Sequence, residues 1–342
     1  MTKAHHHDWI YRPAIRQDID PICRLIDAYS RIILGTPRDP RRDVILTWEQ
    51  PRFEPERDTR VAVLPDGEVI GYAEVEDTLP THVRVGSWLR VRPDYHGQGI
   101  AQELLAWIEN RAQAAVPLAP DHARVALSHG VPAEDEAMQA LFSENGFRVI
   151  RNFLRMAIEL DHEVPEPRWP DGIQVRTFNL EADLEETVHA YRDAFQDHWG
   201  HVHVSFEEDL AEWDHWLRND PDFDPTLTFL AVAGPTIVGL SSCDFKNSED
   251  PNMGFVDVLG VRRAWRRRGI ALALLYHTFR EFQNRGQQRV GLGVDATSLT
   301  GANRVYEAAG MRPTRRTLVL EKVLREGTNL SVETLDDEES VT

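Results

Sequence analysis

Apolar residues follow two similar patterns along the chain, one in each half. In both halves a short apolar run, typical of a strand, is followed further along the chain by apolar positions at intervals of three or four. The strand-like runs are Trp88–Val91 and Phe255–Val261, and the periodic positions are Ile100, Leu104 and Ile108 in the first half and Leu275, Phe279 and Phe282 in the second. These spacings predict a strand followed by an amphipathic helix in both halves.

The segments that join these strands and helices are themselves repeated. Val91–Ala101 reads VRPDYHGQGIA, and Val261–Ala271 reads VRRAWRRRGIA. Further matching pairs are Leu141–Phe147 with Val305–Met311, and Arg12–Asp20 with Arg176–Asp183. The repeats predict two copies of one mixed α/β unit, residues 1–162 and 171–328, joined by a proline-containing linker over 163–170 and followed by an acidic, disordered tail over 329–342.

Composition narrows the class of protein. The 342 residues are 42% hydrophobic and 27% charged, which is typical of a globular protein of about two domains. Lys and Arg total 38 and Asp and Glu total 56, so the net charge is 38 − 56 = −18, which argues against a nucleic-acid partner. There is no apolar run of roughly 18 residues, so no membrane partner is expected. With only two cysteines, a reducing cytoplasm is the default location. Separately, we expect a monomer or a homodimer.

The repeated turn has a composition suited to an anion. Gly269 and Ala271 place small residues where a strand gives way to a helix, so backbone N–H groups can approach a ligand closely. Three consecutive arginines, Arg266, Arg267 and Arg268, could add charge-assisted contacts to a phosphate. Taken alone, the pattern also fits a tight turn beside a solvated basic patch.

The combination of motifs in the second half resembles the GNAT superfamily of acyl-CoA-dependent N-acyltransferases. It consists of the strand, the Arg266-x-x-Gly269-x-Ala271 turn, the helix, and Asn303 and Tyr306 ahead of Gly310. The resemblance implies two tandem domains of α/β (α+β) class, each a mixed, mostly antiparallel sheet flanked by helices. It also implies acetyl-CoA as co-substrate, without a metal. The implied cofactor contacts are the pyrophosphate with the backbone of Arg266, Arg267, Arg268, Gly269, Ile270 and Ala271, and the pantetheine arm with Leu259, Gly260 and Val261.

The two copies differ at the positions that carry chemistry in this superfamily. Where the second copy has Arg266 and Tyr306, the first has His96 and Phe142. Phenylalanine has no hydroxyl to donate, so the second copy is predicted to be catalytic and the first degenerate. The first copy keeps a permissive turn and is expected to be able to retain CoA through Val91, Gly97, Gly99 and Ala101. The chain resembles the two-domain mycothiol synthases in this division of labour.

Two residues on one predicted helix are candidates for contact with the thioester. The resemblance implies that Tyr306 is the general acid that protonates the departing CoA thiolate; otherwise it is an ordinary core aromatic. Asn303 lies one helical turn earlier on the same face. It could bind CoA or the tyrosine, or it could cap the helix.

Four other residues are candidates for the amine side of the reaction. Asp257 is polar within an otherwise apolar strand, so it is predicted to be a general base or a buried hydrogen-bond acceptor. Asp295 has a similar setting, and His198 and Trp199 follow the first helix of the second copy, where acceptor sites are often built in this superfamily. We expect direct acetyl transfer to a primary amine of a small molecule. A noncatalytic acyl-CoA sensor and a protein N-acetyltransferase are the alternatives.

Overall fold

The computed structural model describes residues 9–298 and 301–333. As far as residue 159, the strands are β1 (Ile10–Arg12), β2 (Thr59–Val63), β3 (Val69–Glu76), β4 (Arg84–Val91), β5 (Val125–Pro132) and β6 (Arg148–Glu159). The helices of this part are α1 (Ile19–Tyr29), α2 (Arg41–Trp48), α3 (Pro55–Asp58), α4 (Ile100–Ala112) and α5 (Glu136–Glu144). A π-helical turn, Ser30–Leu34, follows α1 directly.

The same order of elements recurs in the rest of the chain. The strands are β7 (Ile173–Thr177), β8 (Thr228–Ala233), β9 (Thr236–Asp244), β10 (Met253–Val261), β11 (Arg289–Asp295) and β12 (Arg312–Arg325). The helices are α6 (Leu180–Phe195), α7 (Phe206–Asn219), α8 (Ile270–Asn284) and α9 (Ala302–Ala308). The predicted helices after both turns are confirmed, because α4 begins at Ile100 and α8 at Ile270.

The described residues form two compact units. The first contains the described residues as far as Ile150 together with Leu318–Asn329, and the second contains Arg151–Thr317 and the described residues from Leu330. The last strand of each half of the sequence thus contributes to the unit of the other half. This exchange of strands was not predicted from the sequence. The linker at residues 163–170 remains a prediction about where the two sequence repeats meet. The predicted disorder of the tail falls mostly on residues 334–342, outside the described part.

Each unit has a mixed, mostly antiparallel sheet with helices packed on it, as predicted. In the first unit the strand order is β1-β2-β3-β4-β5 followed by residues 318–325 of β12, and β4 and β5 are parallel. In the second unit the order is β6-β11-β10-β9-β8-β7, and β10 and β11 are parallel. The α/β class is therefore confirmed.

The apolar faces of the helices explain where the cores lie. In the first unit Leu104 and Ile108 of α4 are fully buried in a cluster with β3–β5, and α1 and α2 cover the other face of the sheet. In the second unit Leu275 and Phe279 of α8 occupy the corresponding cluster. Within the described residues, no helix is both long and apolar enough to cross a membrane.

Candidate active site

The turn between β10 and α8 holds its backbone open at the start of the helix. Arg267 and Gly269 have φ angles of 62° and 85°, in the left-handed region that favours glycine. A Cβ on Gly269 would meet no atom within 4 Å, so the space in front of the helix N-terminus is open. Because the first N–H groups of a helix lack partners within it, this end of α8 is suited to bind an anion.

The first unit repeats this backbone conformation before α4. Gly97 and Gly99 have φ angles of 76° and 87°, and Gly99 also has open space where a Cβ would be. Both turns are therefore permissive. The difference between them lies in their side chains.

Arg266 holds the turn of the second unit in place. Its guanidinium forms a two-pronged ion pair with the buried carboxylate of Asp197, with Nη1–Oδ2 at 2.5 Å and Nη2–Oδ1 at 2.9 Å. Nη2 also donates to the carbonyl of Ala194 at 2.9 Å, and Nε donates to that of Val261 at 3.3 Å. The expectation that this side chain is available for a phosphate is therefore wrong, because its donors already tie the turn to α6 and to the end of β10.

His96 makes the matching contact in the first unit. Its Nε2 lies 3.1 Å from the carbonyl oxygen of Val91, which corresponds to Val261. A carbonyl only accepts hydrogen bonds, so this ring nitrogen donates. The first position of the motif thus closes the turn onto its strand in both units.

Arg267 and Arg268 are exposed cations of the second turn. Arg268 donates to the carbonyl of Ala264 at 3.0 Å and lies over the ring of Trp265 at 4.8 Å. Ile270 is buried at the start of α8, and Ala271 is half-buried. Of the predicted cofactor-binding set, the backbone amides and the exposed arginines at 267 and 268 are open to a ligand.

The parallel strands β10 and β11 separate near the turn. Their pairing in the described chain ends at Val256 and Leu292, although both strands continue. Leu259, Gly260 and Val261 pair with β9 on their other side. Along these three residues the edge of β10 that faces β11 therefore makes no backbone pairing with β11. The predicted contact with the pantetheine arm requires an edge of this kind.

Asp257 lies where the strands separate. The pairing of β10 with β9 skips this residue, since Val256 pairs with Cys243 and Val258 with Ser242, so Asp257 is the extra residue of a β-bulge. The bulge turns the side chain out of the ladder, and Asp257 is exposed. The expectation that it is a buried strand acid is wrong for this reason.

Tyr306 lies on the inner face of α9. It is 8% exposed, and burial raises its pKa to about 12, so the hydroxyl is protonated at neutral pH. Within the described residues, its hydroxyl forms no hydrogen bond. In the first unit the matching Phe142 is fully buried and stacks on His129, with ring centroids 4.1 Å apart.

Asn303 connects α9 to the end of β11. Its Nδ2 donates to the carbonyls of Asp295 at 3.2 Å and Ala296 at 2.9 Å, whereas its buried Oδ1 has no hydrogen-bond partner among the described residues. A buried unpartnered acceptor is rare in a folded protein and is consistent with a ligand that donates an N–H group. Of the three roles foreseen for Asn303, a cap and a partner of Tyr306 are not seen, and a contact with CoA stays a prediction.

Asp295 is engaged by the protein itself. Its Oδ2 accepts from Nε of Arg151 at 3.0 Å, and its Oδ1 accepts from the backbone and hydroxyl of Thr297. The guanidinium of Arg151 also lies 4.9 Å from the ring of Trp199. Sequence reasoning missed Arg151, because it belongs to β6, the last strand of the first sequence repeat, which joins the second unit only through long-range pairing with β11.

His198 is exposed, and its ring packs against Phe195 at 4.5 Å. Asp295 and Trp199 are thus brought together through Arg151, whereas His198 packs against the end of α6. Throughout residues 9–298 and 301–333, no group of three His, Cys, Asp or Glu side chains is arranged to hold a metal. A cavity of about 470 Å³ in the same unit lies elsewhere, between Phe279, Gly310 and the segment around Val164.

The fold and the repeated turn define an acetyltransferase class, and comparison with known proteins agrees. The model of the acetyltransferase (GNAT) family matches residues 22–147 and again residues 184–311. The chain belongs to this family as a tandem GNAT N-acetyltransferase.

Individual relatives give the same result. The mycothiol acetyltransferase of Streptomyces coelicolor is 29% identical over 248 residues, covering 72% of this chain and 74% of its own length. The mycothiol acetyltransferase of Thermobispora bispora is 30% identical over 256 residues, covering 73% and 79%. A GCN5-related N-acetyltransferase from Sphaerobacter thermophilus, known from its crystal structure, is 33% identical with a TM-score of 0.78, covering 94% of this chain and 98% of its own.

A further solved structure shares the tandem architecture. The tandem GNAT protein from the clavulanic acid biosynthesis pathway has a TM-score of 0.67 at 17% identity, covering 94% of this chain and all of its own. This likeness supports the fold alone.

Proposed function

We propose that this N-acetyltransferase uses acetyl-CoA to acetylate a primary amine of a small molecule, and that its second unit carries out the reaction. The observation that carries the proposal is the buried, protonated hydroxyl of Tyr306 in the unit whose turn also has exposed arginines. The first unit has the same turn but Phe142 in place of the tyrosine.

Three features of the second unit fit acetyl-CoA. The amides before α8 and the exposed Arg267 and Arg268 suit the pyrophosphate. The edge of β10 at Leu259–Val261 suits the amides of the pantetheine arm, since β11 has separated from it. The buried Oδ1 of Asn303 suits a further N–H donor.

The same residues supply what acetyl transfer requires. Asp257, directly or through water, takes a proton from the ammonium group, and the free amine then attacks the carbonyl carbon of the thioester. Backbone N–H groups near Leu259–Val261 stabilise the charge that develops on the carbonyl oxygen. As the C–S bond breaks, Tyr306 donates a hydrogen bond to the sulfur, and the nitrogen loses its remaining extra proton as it becomes an amide.

The pKa of Tyr306 refines its role. A thiol has a pKa of about 8.5, so a tyrosine with a pKa near 12 does not give up its proton completely to a thiolate in a favourable step. A hydrogen bond from its hydroxyl is strongest where negative charge develops on the sulfur. We therefore propose that Tyr306 acts chiefly by donating a hydrogen bond to the sulfur while the C–S bond breaks. The proton that the nitrogen releases as it becomes an amide then converts the thiolate into the thiol.

The acceptor is proposed at the level of its class. The mycothiol acetyltransferases are named for a small-molecule substrate, which favours a small amine over a protein N-terminus. Asp295, Arg151 and Trp199 lie together and contain both signs of charge, so they suit an amine that also carries hydroxyl or carbonyl groups.

An acceptor screen tests this proposal. The full chain is incubated with acetyl-CoA and, in turn, an amino sugar, a cysteinyl amino sugar, a polyamine, an amino acid and a peptide. Released thiol and the mass of the product are measured. We expect an acetylated product from one of the small amines, whereas acetyl-CoA binding without any product would show an acyl-CoA sensor, and acetylation of the peptide alone would overturn the substrate class.

A further inference from the structure

The first unit contains a buried polar cluster that the proposed reaction does not use. The Arg90 cluster lies between the sheet and helices α1 and α2 and consists of Tyr29, Tyr72, Glu74, Trp88, Arg90 and Asp135. We propose that this cluster is a binding site for a small molecule that carries a carboxylate group, which Arg90 recognises. This proposal does not depend on which unit transfers the acetyl group.

Arg90 is a buried cation without an anionic partner. The residue is 6% exposed, and its guanidinium lies between two aromatic rings, 4.7 Å from the centroid of Tyr29 and 4.3 Å from that of Trp88. Nη1 donates to the carbonyl of Leu89 at 2.6 Å, and no ion pair joins Arg90 to a carboxylate of the described residues. Burying a charge is expensive unless it is paired, so the site is incomplete without an anion.

The carboxyl groups near Arg90 are already engaged by other groups. Asp135 accepts from the hydroxyl of Tyr29 at 2.6 Å and from the backbone N–H of Met138 at 2.9 Å. Glu74 accepts from the hydroxyl of Tyr72. These hydrogen bonds hold both carboxyl groups in place, which leaves the guanidinium of Arg90 for a ligand.

Further buried polar atoms near the cluster lack a hydrogen-bond partner in the described part of the chain. Ser30, which follows Tyr29 and begins the π-helical turn, has an unpartnered buried Oγ. His129 is 1% exposed, and its Nε2 is also buried and unpartnered. The hydroxyl of Ser87 donates to the carbonyl of Ser128 and therefore accepts from Nδ1 of His129, so Nε2 is left as an acceptor. Buried groups of this kind, beside a π-helical turn, are typical of ligand sites.

The second unit shows that the fold does not need this cluster. Tyr72 pairs with Arg90 on adjacent strands of the first unit, and Leu240 pairs with Gly260 at the matching positions of the second. Phe195, which ends α6 as Tyr29 ends α1, packs directly on Gly260, where an added Cβ would lie 2.7 Å from its ring. The second unit fills the same space with apolar contacts. The polar groups of the first unit therefore require another explanation than stability.

The chemistry of the cluster favours a carboxylate over a phosphate. A guanidinium offers paired N–H donors in one plane, which match the two oxygens of a carboxylate. Arg38 and the carboxylate of Asp135 act on Arg90 electrostatically with opposite signs, so a ligand with a single negative charge matches the one guanidinium of the cluster, which has no ion pair within the described residues.

Calorimetry on the full chain tests the proposal. Acetate, benzoate and indole-3-acetate are the probes, benzamide is the neutral control, and inorganic phosphate is the competing anion. We expect at least one carboxylate to bind saturably with one equivalent per chain, and benzamide not to bind. Arg90→Lys keeps the charge but loses the planar donors, so it should weaken binding about tenfold. Arg90→Gln should abolish it.

The matched control is Arg92→Gln, because Arg92 lies two residues further along and pairs with Asp94 at the surface. Binding should be unchanged in this variant. The proposal is overturned if none of the three carboxylates binds the wild-type chain, if phosphate binds more tightly than all of them, or if binding survives in Arg90→Gln. If Arg90→Gln does not fold, as judged by circular dichroism, unchanged binding in Arg90→Lys overturns it equally.

Discussion

The two units build the same turn from different side chains and bury their polar groups in different places. Before α4 and α8 the backbone adopts left-handed angles at matching positions, and in both units the first motif residue, His96 or Arg266, bonds the last carbonyl of the preceding strand. The second unit then places a tyrosine hydroxyl on α9, whereas the first places a charged cluster around Arg90 on the other face of its sheet. The turn alone therefore does not show which unit is catalytic.

The largest expected effect comes from making α9 of the second unit resemble α5 of the first. Tyr306→Phe removes the hydroxyl and leaves the ring, so turnover should fall by about 100-fold with little change in affinity for acetyl-CoA. Steady-state kinetics and calorimetry with acetyl-CoA measure the two quantities separately.

Tyr276→Phe is the matched control, because Tyr276 lies on α8 and its hydroxyl makes only a long contact with the carbonyl of Ala308. Its turnover should be close to that of the wild type. Unchanged turnover in Tyr306→Phe would remove the proposed role, and activity that instead depended on His129 would transfer the reaction to the first unit.

Sequence patterns predicted the repeated framework well, because it depends on local chemistry. Apolar spacing and glycine positions determine where α4 and α8 begin, and a helix after each turn was predicted from them. The side-chain partners of the turn were not predictable in this way. Asp197, which pairs with Arg266, lies 69 residues away in the sequence, and only the folded chain brings the two together.

Other features were missed for similar physical reasons. The bulge that exposes Asp257 arises from pairing with β9, which an apolar pattern within β10 does not reveal. The exchange of β6 and β12 between the units depends on long-range pairing. The Arg90 cluster was overlooked because alternating polar residues in a strand ordinarily indicate a solvent face, whereas α1 and α2 cover this one.

A smaller effect should distinguish the ion pair that holds the turn of the second unit from the single hydrogen bond that holds the turn of the first. Burial opposes ionisation of Asp197, but hydrogen bonds and charge from Arg266 lower its pKa. Asp197→Ala leaves Arg266 without this partner, and because the arginine side chain is 27% exposed the loss should be about 2 kcal/mol of unfolding free energy. Affinity for acetyl-CoA should also fall about tenfold, since the turn loosens.

The counterpart in the first unit is His96→Ala, which removes one hydrogen bond and should reduce stability by about 1 kcal/mol. Denaturant unfolding and calorimetry with acetyl-CoA test both variants. Equal effects of the two substitutions on acetyl-CoA affinity would contradict the assignment of the reaction to the second unit.

The buried cluster of the first unit should make stability depend on pH. Burial, followed by the charge of Glu76, raises the pKa of Glu74 to about 8, so the folded state holds this proton more tightly than the unfolded state. The contribution of Glu74 to stability is therefore fully present below about pH 4.5 and is lost as the pH rises to about 8. Glu74→Gln removes this ionisation and should raise the melting temperature at pH 8.5 by about 5 °C relative to wild type.

Thermal unfolding at pH 5.5 and at pH 8.5 measures this effect. The difference in melting temperature between Glu74→Gln and the wild type should be small at pH 5.5. Glu56→Gln on the exposed surface of α3 is the control and should show no such gain. A gain of equal size at both values of pH would indicate a packing effect instead of an ionisation.

The smallest expected effect concerns the one side chain that makes the second turn less permissive than the first. Arg267 has a φ of 62° where the first unit has Gly97. A left-handed residue other than glycine costs about 1 kcal/mol, but glycine loses a similar amount through the entropy of the unfolded chain. Arg267→Gly should therefore change unfolding free energy by less than about 0.5 kcal/mol.

Binding of acetyl-CoA should respond to the same substitution through charge alone. Loss of one exposed cation should weaken affinity about threefold at low salt and less at high salt, where screening already reduces its contribution. Calorimetry at two salt concentrations measures this difference, with Arg280→Gly on the far part of α8 as a control for net charge. An affinity loss of equal size at both salt concentrations would contradict a contribution of Arg267 through its charge.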